Sequence, residues 1–466
     1  MNPEPNAYDA IIIGAGMSGL AAGIRLAHYE KRVCILERHT TIGGLNSFYR
    51  LDGRNYDVGL HAVTNYTPKG AKRGPLARLL RQLRFSWDDL ALKPQLGSRV
   101  AFPGVQLDFS NDFELLRSEI ARAFPSQIAG FDRLTAAVPD YDDLPLASAD
   151  ASARSLLAQY LTEPLLIEML LCPLMYYGSA REGDMDVAQF FIMFRSIFCE
   201  GFARPAEGIR PILKLLTRRY KELGGELRLR AGVQRIVHEG GRAVGVVLDD
   251  GTRLEAKEIL SSAGYVETMQ LCDRAEPAVA SEAGRLSFVE TMSVLDQPAR
   301  ALGCDRTIVF FNATPEFHWR RPDELVDLRS GVICVPGNFE FDDDGGEAGL
   351  VRVTALANFD RWRALPEPEY RAEKARWFDA LSQVAVGYLP DFRAHVTATD
   401  MFTPTTVVRY TGHVNGAIYG APKKRYDGGT FLPNLHLCGT DQGYVGVIGA
   451  LVSGISMANR HVLQAG

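Results

Sequence analysis

Three glycines near the start of the chain have the spacing of a phosphate-binding loop. Gly14, Gly16 and Gly19 form the pattern Gly-x-Gly-x-x-Gly directly after a β-branched run at residues 8–13. An apolar helical pattern follows, so the glycines allow a tight turn and let a pyrophosphate approach the N-terminus of a helix. Glu37 lies 18 residues after Gly19, where a carboxylate can accept both ribose hydroxyls of an adenosine. These residues predict a β-α-β unit that binds a dinucleotide.

A second glycine pair and a glycine-rich C-terminal stretch extend this site. Gly43-Gly44 comes soon after Glu37-Arg38, and a nicotinamide enzyme has no obvious need for it. Near the C-terminus, Gly446 begins an apolar segment, and the first backbone N–H groups of a helix there stabilise negative charge. A reduced flavin develops such charge at N1 and O2. A buried packing helix also explains the small residues, but not the carboxylate of Asp441 five positions earlier.

Several segments resemble a large family of FAD-dependent oxidoreductases, which contains phytoene desaturases, carotenoid isomerases and retinol saturases and, more distantly, amine oxidases. They are residues 37–44 (Glu-Arg-x4-Gly-Gly), 57–61 (Asp-x-Gly-x-His), 205–209, 231–236 and 434–454. The match at 205–209 is imperfect, because Glu207 replaces the first of two glycines. The resemblance implies FAD as the cofactor, bound by Gly14, Gly16, Ser18, Gly19, Glu37, Arg38, Gly43, Gly44, Leu45, Asn46, Val233, Gly439, Asp441, Gly446, Val447 and Ile448.

The resemblance also implies roles within that set. It puts the backbone of Val233 at the adenine, Asp441 near the pyrophosphate or ribityl chain, and the amides of residues 446–448 at the pyrimidine edge of the flavin. The resemblance further implies that the segment of His61 passes close to the flavin, and because an imidazole can exchange protons with a polyene, His61 is the candidate catalytic residue. A structural histidine that steadies the turn at Gly59 is the alternative, and both interpretations stay open.

The order of apolar patterns predicts an α/β fold with two domains. We expect a Rossmann-type FAD-binding domain, like that of glutathione reductase, built from residues 1–70, 203–265 and 426–466. Residues 71–202 and 266–425 then form a substrate-binding domain of mixed sheet and helices. In it, residues 70–200 have a helical pattern, and strand-like runs recur near 288–295, 307–311, 332–335 and 351–357.

Two apolar segments indicate the class of substrate. Residues 164–177 and 187–202 are apolar nearly all round, so they form either plain core or the wall of a tunnel for a long apolar molecule. With FAD, the second interpretation predicts desaturation, saturation or cis-trans isomerisation of carbon–carbon bonds in an isoprenoid or carotenoid-like lipid. The alternatives are an amine-oxidase-like flavoenzyme with a more polar substrate and a non-catalytic lipid carrier that contains flavin.

Composition and charge exclude several other classes. The net charge of −5 argues against a nucleic-acid partner, which requires a concentrated basic surface. Seven cysteines without a Cys-x-x-Cys pair argue against a disulfide framework, and the nine histidines have no metal-ligand spacing, so no metal is expected. No stretch is long and apolar enough for a transmembrane helix, and no secretory signal is evident at the N-terminus. We therefore expect a cytoplasmic protein, whose oligomeric state the sequence leaves open.

A basic segment after residue 68 predicts contact with a membrane. A helix that starts at Pro75 has an apolar face, and six cations without an intervening acid lie in and around it: Lys69, Lys72, Arg73, Arg78, Arg81 and Arg84. Such a basic amphipathic helix can rest peripherally on an anionic bilayer, here the inner membrane face, and deliver an apolar substrate. An ordinary helix that packs on its own domain is the alternative.

Overall fold

The structure is a computed structural model that describes residues 7–141, 151–274, 276–342 and 347–464. The strands of this part of the chain are β1 Ala7–Ile13, β2 Val33–Leu36, β3 Phe48–Leu51, β4 Arg54–Asp57, β5 Lys93–Pro94, β6 Ser98–Phe102, β7 Val105–Phe109, β8 Ala203–Arg204, β9 Glu226–Arg228, β10 Val233–Glu239, β11 Arg242–Leu248, β12 Arg253–Ser261, β13 Ser287–Leu295, β14 Ile308–Asn312, β15 Ser330–Cys334, β16 Leu350–Ala357, β17 Val396–Phe402 and β18 Leu435–Leu437. The α-helices are α1 Met17–Ala27, α2 Pro75–Leu83, α3 Phe113–Ala123, α4 Ile128–Ala137, α5 Ala153–Leu157, α6 Pro164–Gly178, α7 Val187–Phe194, α8 Arg210–Glu222, α9 Tyr265–Leu271, α10 Pro277–Ala280, α11 Phe359–Ala364, α12 Glu367–Ala385, α13 Pro404–Thr411 and α14 Gly446–Ala458.

The first large sheet contains the glycine-rich unit. Its strand order is β10-β11-β12-β1-β2-β9, and β18 pairs with β12. β1 is parallel to both β2 and β12, so α1 makes the crossover of a β-α-β unit, as predicted. Helices α1 and α14 pack together, and their buried residues share one core with β1 and β2. The mixed α/β fold class is thereby confirmed.

The second large sheet has the order β17-β13-β16-β15-β14-β6-β7. The four runs that the sequence indicated between 287 and 357 are its central strands. Residues 70–200, for which the sequence indicates a helical pattern, contain helices α2 to α7 but also strands that the pattern did not indicate, because β6 and β7 form a hairpin at one edge and β6 pairs with β14 in parallel. The turn is Pro103-Gly104, where Gly104 has a φ of +75°. The predicted domain boundaries themselves stay predictions.

Helix α2 begins at Pro75, as predicted, and its apolar face is buried. Leu76, Leu79 and Leu83 are fully buried, and the helix packs on α1 and α14. These leucines stabilise the fold and are not available to enter a bilayer. Within the described ranges, no helix has both the length and the apolar character that a bilayer crossing requires.

Candidate active site

One cavity of about 540 Å³ contains most of the predicted site residues. Residues of both large sheets line it, so its walls come from distant parts of the chain. Of the predicted residues, the cavity is lined by Gly14, Gly16, Ser18, Glu37, Arg38, Gly43, Gly44, Leu45, Asn46, His61, Val233, Gly439, Gly446 and Val447. Gly19, Asp441 and Ile448 are not among the lining residues.

Gly16 and Gly19 of the loop differ in what an added side chain would contact. A Cβ on Gly19 would lie 2.0 Å from the carbonyl oxygen of Gly14, so Gly19 is required for α1 to pack closely on the loop. Gly16 has a φ of −72°, and a Cβ there would meet nothing within 4 Å. The chain itself therefore does not require a glycine at position 16. The open space in front of Gly16 belongs to the cavity, where a bound pyrophosphate would meet the N-terminus of α1.

Glu37 links the end of β2 to the glycine loop. Its carboxylate is 7% exposed and accepts hydrogen bonds from the backbone N–H of Ala15 at 2.9 Å and of His39 at 3.0 Å. Each carboxylate oxygen can accept a second hydrogen bond, so the group keeps capacity for ribose hydroxyls. Val233, the predicted adenine contact, lines the same cavity two residues after Ala231, whose N–H donates to the carbonyl oxygen of Glu37 at 2.8 Å.

The C-terminal motif supplies a second helix N-terminus. Helix α14 begins at Gly446, and the cavity is lined there by Gly446 and Val447. The first N–H groups of this helix lack intrahelical partners and carry the positive end of the helix dipole. This arrangement suits the electron-rich pyrimidine edge of a reduced flavin. Ile448, which is 1% exposed, packs in the core.

Asp441, predicted to lie near the pyrophosphate or ribityl chain, does not itself line the cavity. Its carboxylate is 2% exposed and accepts hydrogen bonds from the N–H of Tyr265 at 2.6 Å and of Ala421 at 2.7 Å. Lys424 Nζ lies 3.9 Å from the same carboxylate. Asp441 thus ties three chain segments together beside the cavity, while its neighbours Gly439 and Thr440 line the cavity itself.

His61 lies at the other end of the cavity, against the second sheet. Its Nε2 is 3.1 Å from Oγ1 of Thr354 and 3.4 Å from Oε1 of Glu290. Burial lowers the pKa of His61 below its ordinary value of 6.5, although Glu290 acts in the opposite direction. The imidazole is therefore neutral around neutral pH.

Two buried arginines hold the segment that carries His61. Arg352 donates to Glu290, to the carbonyl of Val58 at 2.6 Å and to the carbonyl of Leu60 at 2.9 Å. Arg204 donates to the carbonyl of Leu60 at 2.6 Å and to Asp57 at 2.6 Å. Burial raises the pKa of Asp57 to about 6, against the effect of Arg204. Both guanidinium groups are fully buried, so they fix the backbone before His61 from two sides.

The wall around His61 is mainly aromatic and apolar. It contains Tyr176, Tyr177, Phe288, Val332, Ile418 and Tyr419. Tyr176 and Tyr177 come from the predicted apolar segment 164–177, but no residue of 187–202 lines the cavity. Of the two interpretations that the sequence left open, the structure therefore favours a wall for the end of the first segment and plain core for the second. Its side chains, such as Phe190 and Phe194, are buried in the core beside α6.

The comparisons with known proteins agree with this geometry. The family described as flavin containing amine oxidoreductase matches residues 17–461. The chain belongs to this family. It is a flavin-containing oxidoreductase with FAD as its cofactor, and the glycine loop, Glu37 and the N-terminus of α14 are suited to that group.

Individual relatives are similar over nearly the whole chain. Prolycopene isomerase of Arabidopsis thaliana is 23% identical, and the alignment covers 98% of this chain and 83% of that protein. All-trans-retinol 13,14-reductase of Danio rerio is also 23% identical, with 98% and 87% covered. Among solved structures, a triple mutant of putrescine oxidase has a TM-score of 0.65 at 16% identity, with 98% and 99% covered. The last similarity concerns the fold alone.

The sequence did not indicate the polar partners of His61 in this flavin oxidoreductase. Glu290 and Thr354 are direct partners on neighbouring strands β13 and β16, and Arg352 lies on β16 two residues before Thr354. A signal was present, because both strands are completely buried and each has one charged residue, of opposite sign. Charged residues are almost never fully buried unless they are paired. Among the described residues, no group of side chains could hold a metal ion.

Proposed function

We propose that this protein acts on carbon–carbon bonds of a long apolar isoprenoid or carotenoid-like lipid. The net reaction is a desaturation, a saturation or a cis-trans isomerisation, and all three use the same site. The observation that carries the proposal is the apolar and aromatic wall around His61, next to the part of the cavity suited to the flavin. Relatives that are named for action on prolycopene and all-trans-retinol support the same class of substrate.

The residues of this chain have distinct tasks in the proposed reaction. The wall formed by Tyr177, Phe288 and Val332 removes water from a bound polyene and orients it against the cofactor. His61 is neutral and exchanges a proton with the substrate. Bound FAD supplies two-electron redox chemistry. The N-termini of α1 and α14 hold the negatively charged parts of the cofactor.

The carboxylates that line the described cavity are already engaged, which argues against an amine substrate. A buried ammonium group is stabilised by an unpaired carboxylate or by an aromatic cage, so here the aromatic wall alone would have to hold it. Near His61, the carboxylate that lines the cavity is Glu290, whose charge is already compensated by the buried Arg352. At the other end, Glu267 accepts from the N–H of Val414 and lies 3.6 Å from His413. Membership of an oxidoreductase family also argues against the alternative of a lipid carrier that performs no catalysis.

Anaerobic flavin spectroscopy tests this proposal. FAD-loaded protein is mixed without oxygen with a hydrocarbon carotene, with all-trans-retinol or with putrescine, each as a separate sample. The proposal expects a spectral response or a changed polyene with an apolar substrate, and none with putrescine. Flavin bleaching by putrescine alone would favour the amine-oxidase alternative instead.

A further inference from the structure

The two ring nitrogens of His61 have different surroundings. Nε2 lies within hydrogen-bond distance of Thr354 Oγ1 and 3.4 Å from Glu290 Oε1. Within the described part of the chain, Nδ1 has no hydrogen-bond partner, although His61 lines the cavity. An ionised carboxylate can only accept hydrogen bonds. Next to Glu290, the proton of a neutral imidazole is therefore favoured on Nε2, which leaves the lone pair on Nδ1.

Glu290 is held in its ionised form by Arg352. Burial alone raises the pKa of Glu290, but Arg352 and His61 lower it, and the net direction is downward. Arg352 is fully buried and binds both the carboxylate and the backbone carbonyls of Val58 and Leu60. A single cation thus fixes the carboxylate and the segment that carries the imidazole. Their mutual orientation is a feature of the fold and does not depend on a bound substrate.

We propose that Glu290 is the positioning residue that keeps the proton of His61 on Nε2, so that Nδ1 exchanges a proton with the substrate. The identity of that substrate rests on the proposed function, but the position of the proton does not. In a desaturation, a C–H bond of the substrate breaks and an N–H bond forms at Nδ1. The electron pair of that bond becomes the second bond of the new carbon–carbon double bond as the adjacent carbon gives up a hydride, and the flavin would be the acceptor of that hydride. Glu290 lies beside the imidazolium that results and favours it, whereas burial and the two arginines disfavour it.

The charged and titratable groups around His61 set the direction of a pH effect. They are Glu290 on β13, Arg352 on β16, Arg204 on β8, the Cys334 thiol on β15, which lies 3.8 Å from the carbonyl oxygen of His61, and Tyr177 on α6, whose ring centre is 6.3 Å away. Of these, Glu290 raises the pKa of His61, and the two arginines lower it. Loss of the Glu290 charge should therefore move the titration of His61 to lower pH.

Nuclear magnetic resonance of the imidazole nitrogens tests the proposal without any substrate. FAD-loaded protein with ¹⁵N-labelled histidine is titrated with acid, and the signals of His61 are assigned by their loss in His61→Gln. The expected wild-type result is a neutral imidazole with its proton on Nε2. Glu290→Gln should move the titration to lower pH and weaken the preference for Nε2. Thr354→Val retains the carboxylate and should retain the tautomer.

Two results would overturn the proposal. One is a wild-type imidazole with its proton on Nδ1, and this result is decisive even if Glu290→Gln does not fold. The other is a folded Glu290→Gln protein with an unchanged titration and tautomer, as expected if Glu290 serves only to compensate Arg352. A protein that changes no polyene but has the expected tautomer would contradict the proposed function and leave the role of Glu290 intact.

Discussion

The carboxylate of Glu37 accepts a hydrogen bond at 2.9 Å from the backbone N–H of Ala15, which lies between the first two glycines of the loop. The bond joins the residue suited to the ribose with the loop suited to the pyrophosphate. Because Glu37 also accepts from the N–H of His39, its position is fixed from both sides of the strand end. The residues predicted to bind the ribose and the pyrophosphate therefore belong to one connected structure.

Replacement of Glu37 by alanine should weaken the retention of FAD. Hydrogen bonds to a charged group contribute about 1.5–3 kcal/mol, so the dissociation constant should rise about tenfold to 150-fold. Equilibrium dialysis of the apoprotein with FAD measures this change. Glu255→Ala, which removes an exposed carboxylate from β12 of the same sheet, is the matched control. Equal affinity in both variants would exclude a ribose contact of Glu37.

Replacement of Gly16 by alanine should weaken the binding of FAD while changing the stability of the apoprotein little. A Cβ at Gly16 meets no atom of the chain, so the apoprotein should lose about 1 kcal/mol of stability or less, the scale of an N-cap change. Its affinity for FAD should fall, because the methyl group occupies space in the cavity.

Gly19→Ala is the contrasting variant. Its Cβ would lie 2.0 Å from the carbonyl oxygen of Gly14, so this substitution should destabilise the fold as well. Urea unfolding of both apoproteins, with FAD titration, measures the difference. A Gly16→Ala protein with unchanged FAD affinity would contradict the placement of the pyrophosphate.

Replacement of His61 by alanine should lower turnover while FAD stays bound. A positioned acid or base contributes about 10²–10⁴-fold to a rate, and His61 lies at the end of the cavity away from Glu37 and Val233. FAD content, melting temperature and the rate with the active polyene are measured on the same preparation. His395→Ala changes a histidine that does not line the cavity and serves as the control. Loss of FAD together with stability would favour the structural interpretation of His61.

We propose that the protein contacts an anionic membrane, at the inner membrane face, through electrostatic attraction alone. Leu76, Leu79 and Leu83 are buried in the protein, whereas Lys72 and Arg73 are exposed. Each cation near the surface contributes about 1 kcal/mol, and salt screens the attraction. The protein should float with anionic vesicles at low salt, and less so in the double variant Lys72→Glu, Arg73→Glu. Arg371→Glu, an exposed change on α12, is the control. A wild-type protein that stays at the bottom of the gradient at low salt would exclude the contact.

Sequence patterns correctly predicted those parts of the fold that are built from residues close together in the chain. The glycine loop and Glu37 lie within one β-α-β unit, so their spacing along the chain fixes their spacing in the fold. The strands near 243–248 and 351–357 were also predicted, because their apolar runs are bounded by turn residues. Sequence spacing is informative wherever neighbours in the chain remain neighbours in space.

The environment of His61 could not be predicted in this way. Glu290 and Thr354 meet through the register of β13 and β16, and His61 reaches them from a distant segment. Composition also failed to separate core from cavity wall, because buried helices and tunnels are both apolar. Tyr177 lines the cavity while Phe190 packs in the core, and only the tertiary structure distinguishes them.

Product analysis of a polyene tests the central claim most directly. FAD-loaded protein is incubated with a poly-cis hydrocarbon carotene in detergent micelles, in separate samples with FAD oxidised and with FAD reduced. The extract of each sample is analysed by chromatography and mass spectrometry. The account predicts a product that has lost two hydrogens, gained two hydrogens, or kept its mass with altered geometry, and that forms more slowly with His61→Ala. Unchanged carotene and retinol with a fully FAD-loaded protein, together with oxidation of an amine, would contradict it.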